Sequence, residues 1–252
     1  MDLELTGKRA LVTGGSRGIG KVIAEVLLSE GVDVAILARG REQLEATARE
    51  LSLQSKRTVL PLVADTSQRA EVDAAIESAI TGLGGVDILI NAAALPGGSS
   101  KATSLAELED EHLLYDVNVK VAGYLRTARA LAPHLIKKGW GRIINIGGLA
   151  AYGTGRPIAT LRNVGVSALT KNLADELGPK GINVVALHPG ATRTERTDAA
   201  TEQRAAKTTS IGRIVDAREV AYVVAFLASP RSVAINGDSI ATGGGTLGTI
   251  RY

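Results

Sequence analysis

The chain has no cysteine in its 252 residues. That excludes disulfides, thiolate metal sites, iron–sulfur clusters and a cysteine nucleophile. Aromatic residues make up only 3%, with one Phe and one Trp, and there is a single Met. The core must therefore be built from Ala, Val, Leu and Ile, with glycine at the close approaches. No run comes near the roughly 18 apolar residues of a membrane span. The opening stretch Met1–Lys8 carries no apolar signal core, so the expected location is the cytoplasm. Blocks of like charge are also missing. The net charge is +3 with Lys and Arg scattered, which predicts a solvated, mildly basic surface and neither a nucleic-acid nor a membrane partner. His112, His134 and His188 lie far apart and show no ligand spacing, so no metal site is expected.

What is present is the composition of an ordinary globular protein, 45% hydrophobic and 22% charged. Disorder, collagen-like repeats and coiled coil are excluded, and the length suits one large domain over 1–252. Apolar strand-like runs at 9–13, 34–38, 58–63, 87–91, 142–146, 183–187 and 239–241 alternate with amphipathic stretches at 18–29, 41–53, 68–81, 104–138, 157–177 and 217–227. Near-continuous apolar strands are what a parallel sheet covered on both faces requires. The alternation predicts an α/β fold: a single-domain, Rossmann-like, doubly wound parallel sheet of about seven strands with helices on both faces. Pro133 inside 104–138 predicts a bend or an end there. The polar segment 192–210 breaks the rhythm, and reads either as a lid over a ligand site or as an ordinary surface helix.

The first strand runs into Thr13-Gly14-Gly15-Ser16-Arg17-Gly18-Ile19-Gly20, which opens a helix. Glycines allow a tight turn and a close backbone approach to a pyrophosphate, and the helix N-terminus supplies free N–H groups and partial positive charge. Gly14, Ser16, Arg17, Gly18, Ile19 and Gly20 are thus candidate cofactor contacts. A site for NAD wants an acid at the end of the second strand. Here that end reads Ala38-Arg39-Gly40, and Arg39 with Arg17 suits a 2′-phosphate instead. The expected cofactor is NADP(H).

Carrying these marks, the chain resembles the short-chain dehydrogenase/reductase family, of the classical type, from Gly7 to about Gly245. The likeness also rests on Asp65-Thr66, on the run from Asp87 through Asn91-Ala92-Ala93-Ala94, on Val117-Asn118-Val119, on Gly141 to Ile146, on Pro189-Gly190-Ala-Thr-Arg-Thr194 and on Ile235 to Gly244. Ala94 departs mildly from the family's glycine. The resemblance implies that Asp65, with Thr66 beside it, holds the adenine and that Asn91, with Ala92 and Ala93, lies at the adenosine ribose. Pro189, Gly190 and Thr194 would hold the nicotinamide end, and Asn118 an active-site water. It also implies a homo-oligomer, dimer or tetramer, built on the helices at 104–138 and 157–177, and a small-molecule substrate.

The same resemblance implies a Ser after the fifth strand and a Tyr-x-x-x-Lys on the next helix, with Tyr and Lys sharing one helix face at i and i+4. At these places the chain has Gly148, Ala159 and Asn163, or Leu161 and Gly165 in place of the last two if the gap in the preceding loop is moved, and no Tyr or Lys occurs from Gly153 to Thr170. Asn163 retains the ability to hydrogen-bond a ribose. Tyr152 has Arg156 four residues on, but glycines and a proline make that stretch a loop. Tyr152 is kept as a candidate acid with a lid or packing role beside it, Tyr115 as a helix-packing residue, and His188 as a proton donor or a structural residue. Two functions follow: an NADP-dependent oxidoreductase with an unorthodox proton source, or a catalytically silent NADP(H) sensor or partner subunit. A scaffold without cofactor is a third.

Overall fold

The computed structural model describes residues 1–248 except Pro96, Lys101 and Thr103. The order is β1 (Arg9–Thr13), α1 (Gly18–Ser29), β2 (Asp33–Ala38), α2 (Arg41–Ser55), β3 (Val59–Val63), α3 (Arg69–Leu83), β4 (Ile88–Asn91), α4 (Asp110–Val117), α5 (Gly123–Lys138), β5 (Gly141–Ile146), α6 (Pro157–Leu177), β6 (Ile182–Pro189), β7 (Thr192–Arg193), α7 (Ala199–Thr208), β8 (Val215–Asp216), α8 (Ala217–Ala228) and β9 (Ser239–Thr242). Seven strands form one parallel sheet in the order β3-β2-β1-β4-β5-β6-β9. This is the doubly wound α/β fold expected from the sequence.

Successive side chains of a strand face opposite sides, and here both sides are dry. Val12 and Ile36 join Ile23 and Leu27 of α1, Leu44 of α2 and Val220 and Val224 of α8 on one face. Leu11 and Leu37 join Val72 and Ile76 of α3, Leu131 and Leu135 of α5 and Leu177 of α6 on the other. Buried aliphatic side chains at about 1.5–3 kcal/mol each hold both layers, which is how the chain manages without aromatics.

The sheet reverses its winding between β1 and β4, and a crevice opens there, at the carboxyl ends of the strands. Thr13 closes that end of β1: its Oγ1 accepts from the amides of Ala92 and Ala93, at 3.1 and 3.2 Å. Asn91 on β4 donates to Asn145 on β5 and accepts from Thr127 on α5, at 2.9 and 2.7 Å.

The helical run from Asp110 to Lys138 is interrupted, but not at Pro133. Five residues, Asn118–Ala122, form a π turn between α4 and α5, while Pro133 lies inside α5. Pro133 removes a bond only from the carbonyl of Arg129, and both residues lie on the exposed side, where water serves that carbonyl. The segment after β6 is ordered into β7, a turn and α7. It is tied back by β7–β8 pairing and by the amide of Ser210 on Gly245 O. Among the described residues no helix is long and apolar enough to cross a membrane.

Candidate functional site

The crevice is a cleft of about 900 Å³. Of the residues singled out from the sequence, Gly14, Ser16, Arg17, Gly18, Ile19, Gly20, Arg39, Thr66, Ala92, Ala93, Pro189, Gly190 and Thr194 line it. Asp65, Asn91, Asn118, Tyr152 and Asn163 stand behind or beside it rather than in its wall.

At one end the cradle is backbone. Gly14 has φ +69°, and a Cβ there would stand 2.8 Å from Ala92 O. A Cβ on Gly20 would stand 2.3 Å from Gly14 O. The chain can turn from β1 into α1 this tightly only with glycine at both places. The α1 N-terminus is not empty: the amide of Gly18 donates to both carboxylate oxygens of Glu195, at 3.1 and 3.3 Å. Glu195 comes from the 192–210 segment, so this segment reaches over the cleft, and its neighbour Arg196 lines the wall. A carboxylate on a helix N-terminus is favourable by the same physics that binds phosphate there.

Arg39, directly after β2, stands in the cleft wall. Its guanidinium donates to the Tyr115 hydroxyl at 3.2 Å and lies 3.5 Å from an Asp65 oxygen. These contacts raise its pKa, the Tyr115 hydrogen bond first, against a partial desolvation. For Asp65, desolvation pushes upward, but the Ser67 amide and Arg39 together hold its carboxyl below the ordinary value. Asp65 is spoken for by Arg39 and Ser67.

At the other end the wall is made by Ile146, Gly147, Pro189, Gly190, Arg162 and Lys120. Gly147 has no room for a side chain, since a Cβ there would stand 2.3 Å from His188 Nδ1. A Cβ on Gly148 would stand 3.1 Å from Asn163 Nδ2, so the two positions are neighbours across the cleft floor. Ala159 lies one helical turn before Asn163 on α6 and is 9% exposed. His188 is fully buried. Its Nδ1 lies 3.0 Å from the Gly148 amide nitrogen and 3.1 Å from the Gly148 carbonyl oxygen, its Nε2 is 3.0 Å from Ser167 Oγ, and the Tyr152 ring packs edge-on against it. Tyr152 itself is 39% exposed, on the short turn Leu149–Tyr152. Asn118 turns to Arg126, which donates to its carbonyl and to its side-chain oxygen, at 3.0 and 2.6 Å.

Sequence reasoning missed Lys120. It sits in the π turn, is 4% exposed, and donates to Gly147 O and to Asn163 Oδ1, both at 2.8 Å. Burial lowers its pKa to about 7, helped by nearby Arg162 and opposed by Asp116. Arg162 takes the carboxylate that would otherwise serve Lys120, at 3.1 Å from Asp116 Oδ1. Asp116 in turn holds the loop after β4 through the amide and hydroxyl of Ser99. A signal was available: Lys120 is the one charge between Val117 and Tyr124.

Comparison with known proteins agrees with this geometry. The family profile of short chain dehydrogenases matches residues 8–205. The chain is 34% identical over 248 residues to the 3-oxoacyl-[acyl-carrier-protein] reductase FabG of Vibrio cholerae, covering 96% of this chain and 98% of that protein. It is 31% identical over 247 residues to the short-chain reductase NovJ of Streptomyces niveus, covering 94% and 92%. Among solved structures, L-sorbose reductase from Gluconobacter frateurii, complexed with NADPH and L-sorbose, superposes with TM-score 0.91 at 30% identity over 99% of this chain and all of that one. A short chain dehydrogenase from Burkholderia cenocepacia in complex with NADP superposes with TM-score 0.85 at 33% identity, over 96% and 98%.

Proposed function

This chain belongs to the short-chain dehydrogenase family, and we propose that it is an NADP(H)-dependent oxidoreductase acting on a small carbonyl compound or alcohol in the cytoplasm, with its proton handled by some group other than a Tyr-x-x-x-Lys pair. One observation carries the reading: a single cleft runs from Arg17 and Arg39 past the glycine cradle to Ile146, Gly147 and Pro189. Its residues fit the dinucleotide. A Cβ would fill the cradle at Gly14 or Gly20, the α1 amides suit a pyrophosphate, and Arg17 with Arg39 suits a 2′-phosphate. Solved relatives carrying NADPH and NADP support the choice. When bound, the nicotinamide supplies or accepts a hydride; the chain's own part is to hold it at the Pro189-Gly190 turn.

A second reading is a silent NADP(H) sensor or a partner subunit. One observation favours it: Gly148, Ala159 and Asn163 bring no titratable group to the floor. Both readings need the cofactor. Calorimetric titration of the purified protein is expected to give micromolar NADPH binding and NADH binding at least about tenfold weaker, since a charge-assisted hydrogen bond is worth about 1.5–3 kcal/mol. No binding to either would overturn both readings and leave a scaffold. If NADPH binds, turnover of carbonyl substrates separates enzyme from sensor. The combined variant Gly148→Ser, Ala159→Tyr, Asn163→Lys is then expected to gain carbonyl reduction.

We propose also that the chain forms a homodimer or homotetramer. Leu114, Leu125, Leu161 and Val164, on α4, α5 and α6, leave 66%, 41%, 55% and 47% of their surface exposed, which suits a partner helix pair. A monomer by light scattering at micromolar concentration would overturn this.

A further inference from the structure

A buried ammonium normally has a carboxylate at hand, because neutral acceptors repay little of its lost hydration. Lys120 has none within ion-pair distance among the described residues: Arg162 holds Asp116, and Lys120 is left with Gly147 O and Asn163 Oδ1. A lysine ammonium has three N–H groups. Two are used, and the third is left for a ligand in the cleft that Lys120 lines. The backbone delivers the side chain there through an irregular turn, a feature often found at functional sites. Its Nζ stands where β5 ends, beside Gly147 and next to Asn163, at the end of the cleft that Pro189 and Gly190 also line.

We propose that Lys120 is the catalytic amine of this site: its ammonium donates a hydrogen bond and then a proton to the carbonyl oxygen of an aldehyde or ketone, and its neutral amine takes that proton back from the alcohol in the reverse direction. The inference deepens the oxidoreductase reading and rests on it. In reduction the C=O π bond breaks, C–H forms with the hydride of NADPH, O–H forms with the proton of Nζ, and NADP⁺ and the alcohol result. The neutral amine regains its proton from solvent. Asn163 and Gly147 act as positioning groups that hold Nζ, so the short polar side chain at Asn163 leaves room for an amine arriving from another helix. The charged and titratable groups facing Nζ are Arg162 and Asp116 from α6 and α4, with Tyr124 bonded to Ile146 O and His188 bonded at Gly148 behind the strand ends.

The first test needs no turnover. In ¹³C-lysine NMR of the whole protein, one Cε resonance, absent from Lys120→Met, is expected to titrate near pH 7. A resonance titrating with the ordinary lysines, near 10, would overturn the proposal. The second test uses NADPH with 2,3-butanedione as an activated carbonyl probe. Wild type is expected to exceed Lys120→Met in kcat by about 10²–10⁴-fold, as for loss of a general acid. The NADPH dissociation constant should stay within about threefold, as expected when only a transition-state contact is lost. Lys120→Arg, which keeps charge and donors but holds its proton, is expected to stay near the Met variant. The wild-type rate should fall above pH 7 in reduction and rise through pH 7 in oxidation of 2,3-butanediol, a split that a merely structural lysine would not give. Equal rates for wild type and Lys120→Met, including no rate in either, would overturn the assignment of Lys120. Failure of the wild type to bind NADPH would instead overturn the functional reading beneath it, and the Cε titration would still judge the amine.

Discussion

The two ends of the cleft are built from different materials. The phosphate end is backbone: glycines that admit no Cβ, amides at the start of α1, and a turn set by β1. The chemical end is side chains drawn from four elements, with Lys120 from the π turn, Asn163 and Arg162 from α6, Gly147 after β5, and His188 from β6. Each end also holds a charged group of the protein. At the phosphate end it is the Glu195 carboxylate on the Gly18 amide, and at the chemical end it is the Lys120 ammonium. The first is a carboxylate whose side chain is 53% exposed. The second is buried and fixed by two hydrogen bonds. One end is therefore set up to exchange its occupant, the other to keep it.

The sharpest way to break the comparison is to put a Cβ into the backbone end. In Gly20→Ala the new methyl meets Gly14 O at 2.3 Å, and overpacking of about 1–3 kcal/mol falls on the cradle itself. NADPH affinity by calorimetry is expected to fall about 10²-fold, with Lys120 still titrating as in wild type. Loss of the Lys120 signature in that variant would mean that the two ends are not separable. Next in size is Arg39→Ala. NADPH binding should weaken by about ten- to a hundredfold through one lost charge-assisted contact, and NADH binding should hardly change. Equal losses for the two dinucleotides would show that Arg39 serves the cleft through Asp65 and Tyr115 and not through a 2′-phosphate.

The chemical end has a signature in stability. Burial lowers the pKa of Lys120 from 10.5 to about 7. Below pH 7 both folded and unfolded chains hold the proton, and the full cost of burying the charge is felt. Between pH 7 and 10.5 the unfolded chain binds more protons, so stability from this group rises with pH. Lys120→Met has no such slope. Its melting temperature relative to wild type is therefore expected to be most favourable at pH 6–7 and to lose ground steadily towards pH 10, at about 2–4 °C per kcal/mol for a chain of this size. A gap independent of pH would mean that Lys120 stays charged throughout.

The difference in materials also explains what the sequence disclosed. Alternating apolar runs gave the sheet, because two-sided burial leaves a continuous pattern in each strand. The cradle was legible as Gly14 and Gly20, because a backbone site is written in the residues that must be absent. Arg39 was legible because it follows β2 directly. Lys120 was not, because its meaning depends on β5 and α6 meeting it in space and on a turn that adds a residue to a helix. The local rule places a helix irregularity at Pro133, whereas the structure has it at 118–122. Asn118 gives both its oxygens to Arg126, a pairing that residues eight apart do not announce.

The smallest expected effect sharpens the exchangeable end. Glu195 sits on the Gly18 amide at the N-terminus of α1, and a charge there is worth about 0.3–1 kcal/mol at an exposed site. A dinucleotide phosphate must displace it before it can use the same amide. Glu195→Gln removes the competing charge and leaves the shape, so NADPH and NADH should both bind about two- to fivefold tighter. The factor should be the same for the two, because the pyrophosphate is common to both and the 2′-phosphate is not involved. That equality separates Glu195 from Arg39, whose loss should divide them. Weaker binding in Glu195→Gln would reverse the role: the segment 192–210 would then use Glu195 to close over the cofactor, with Arg196 beside it, rather than to stand in for it.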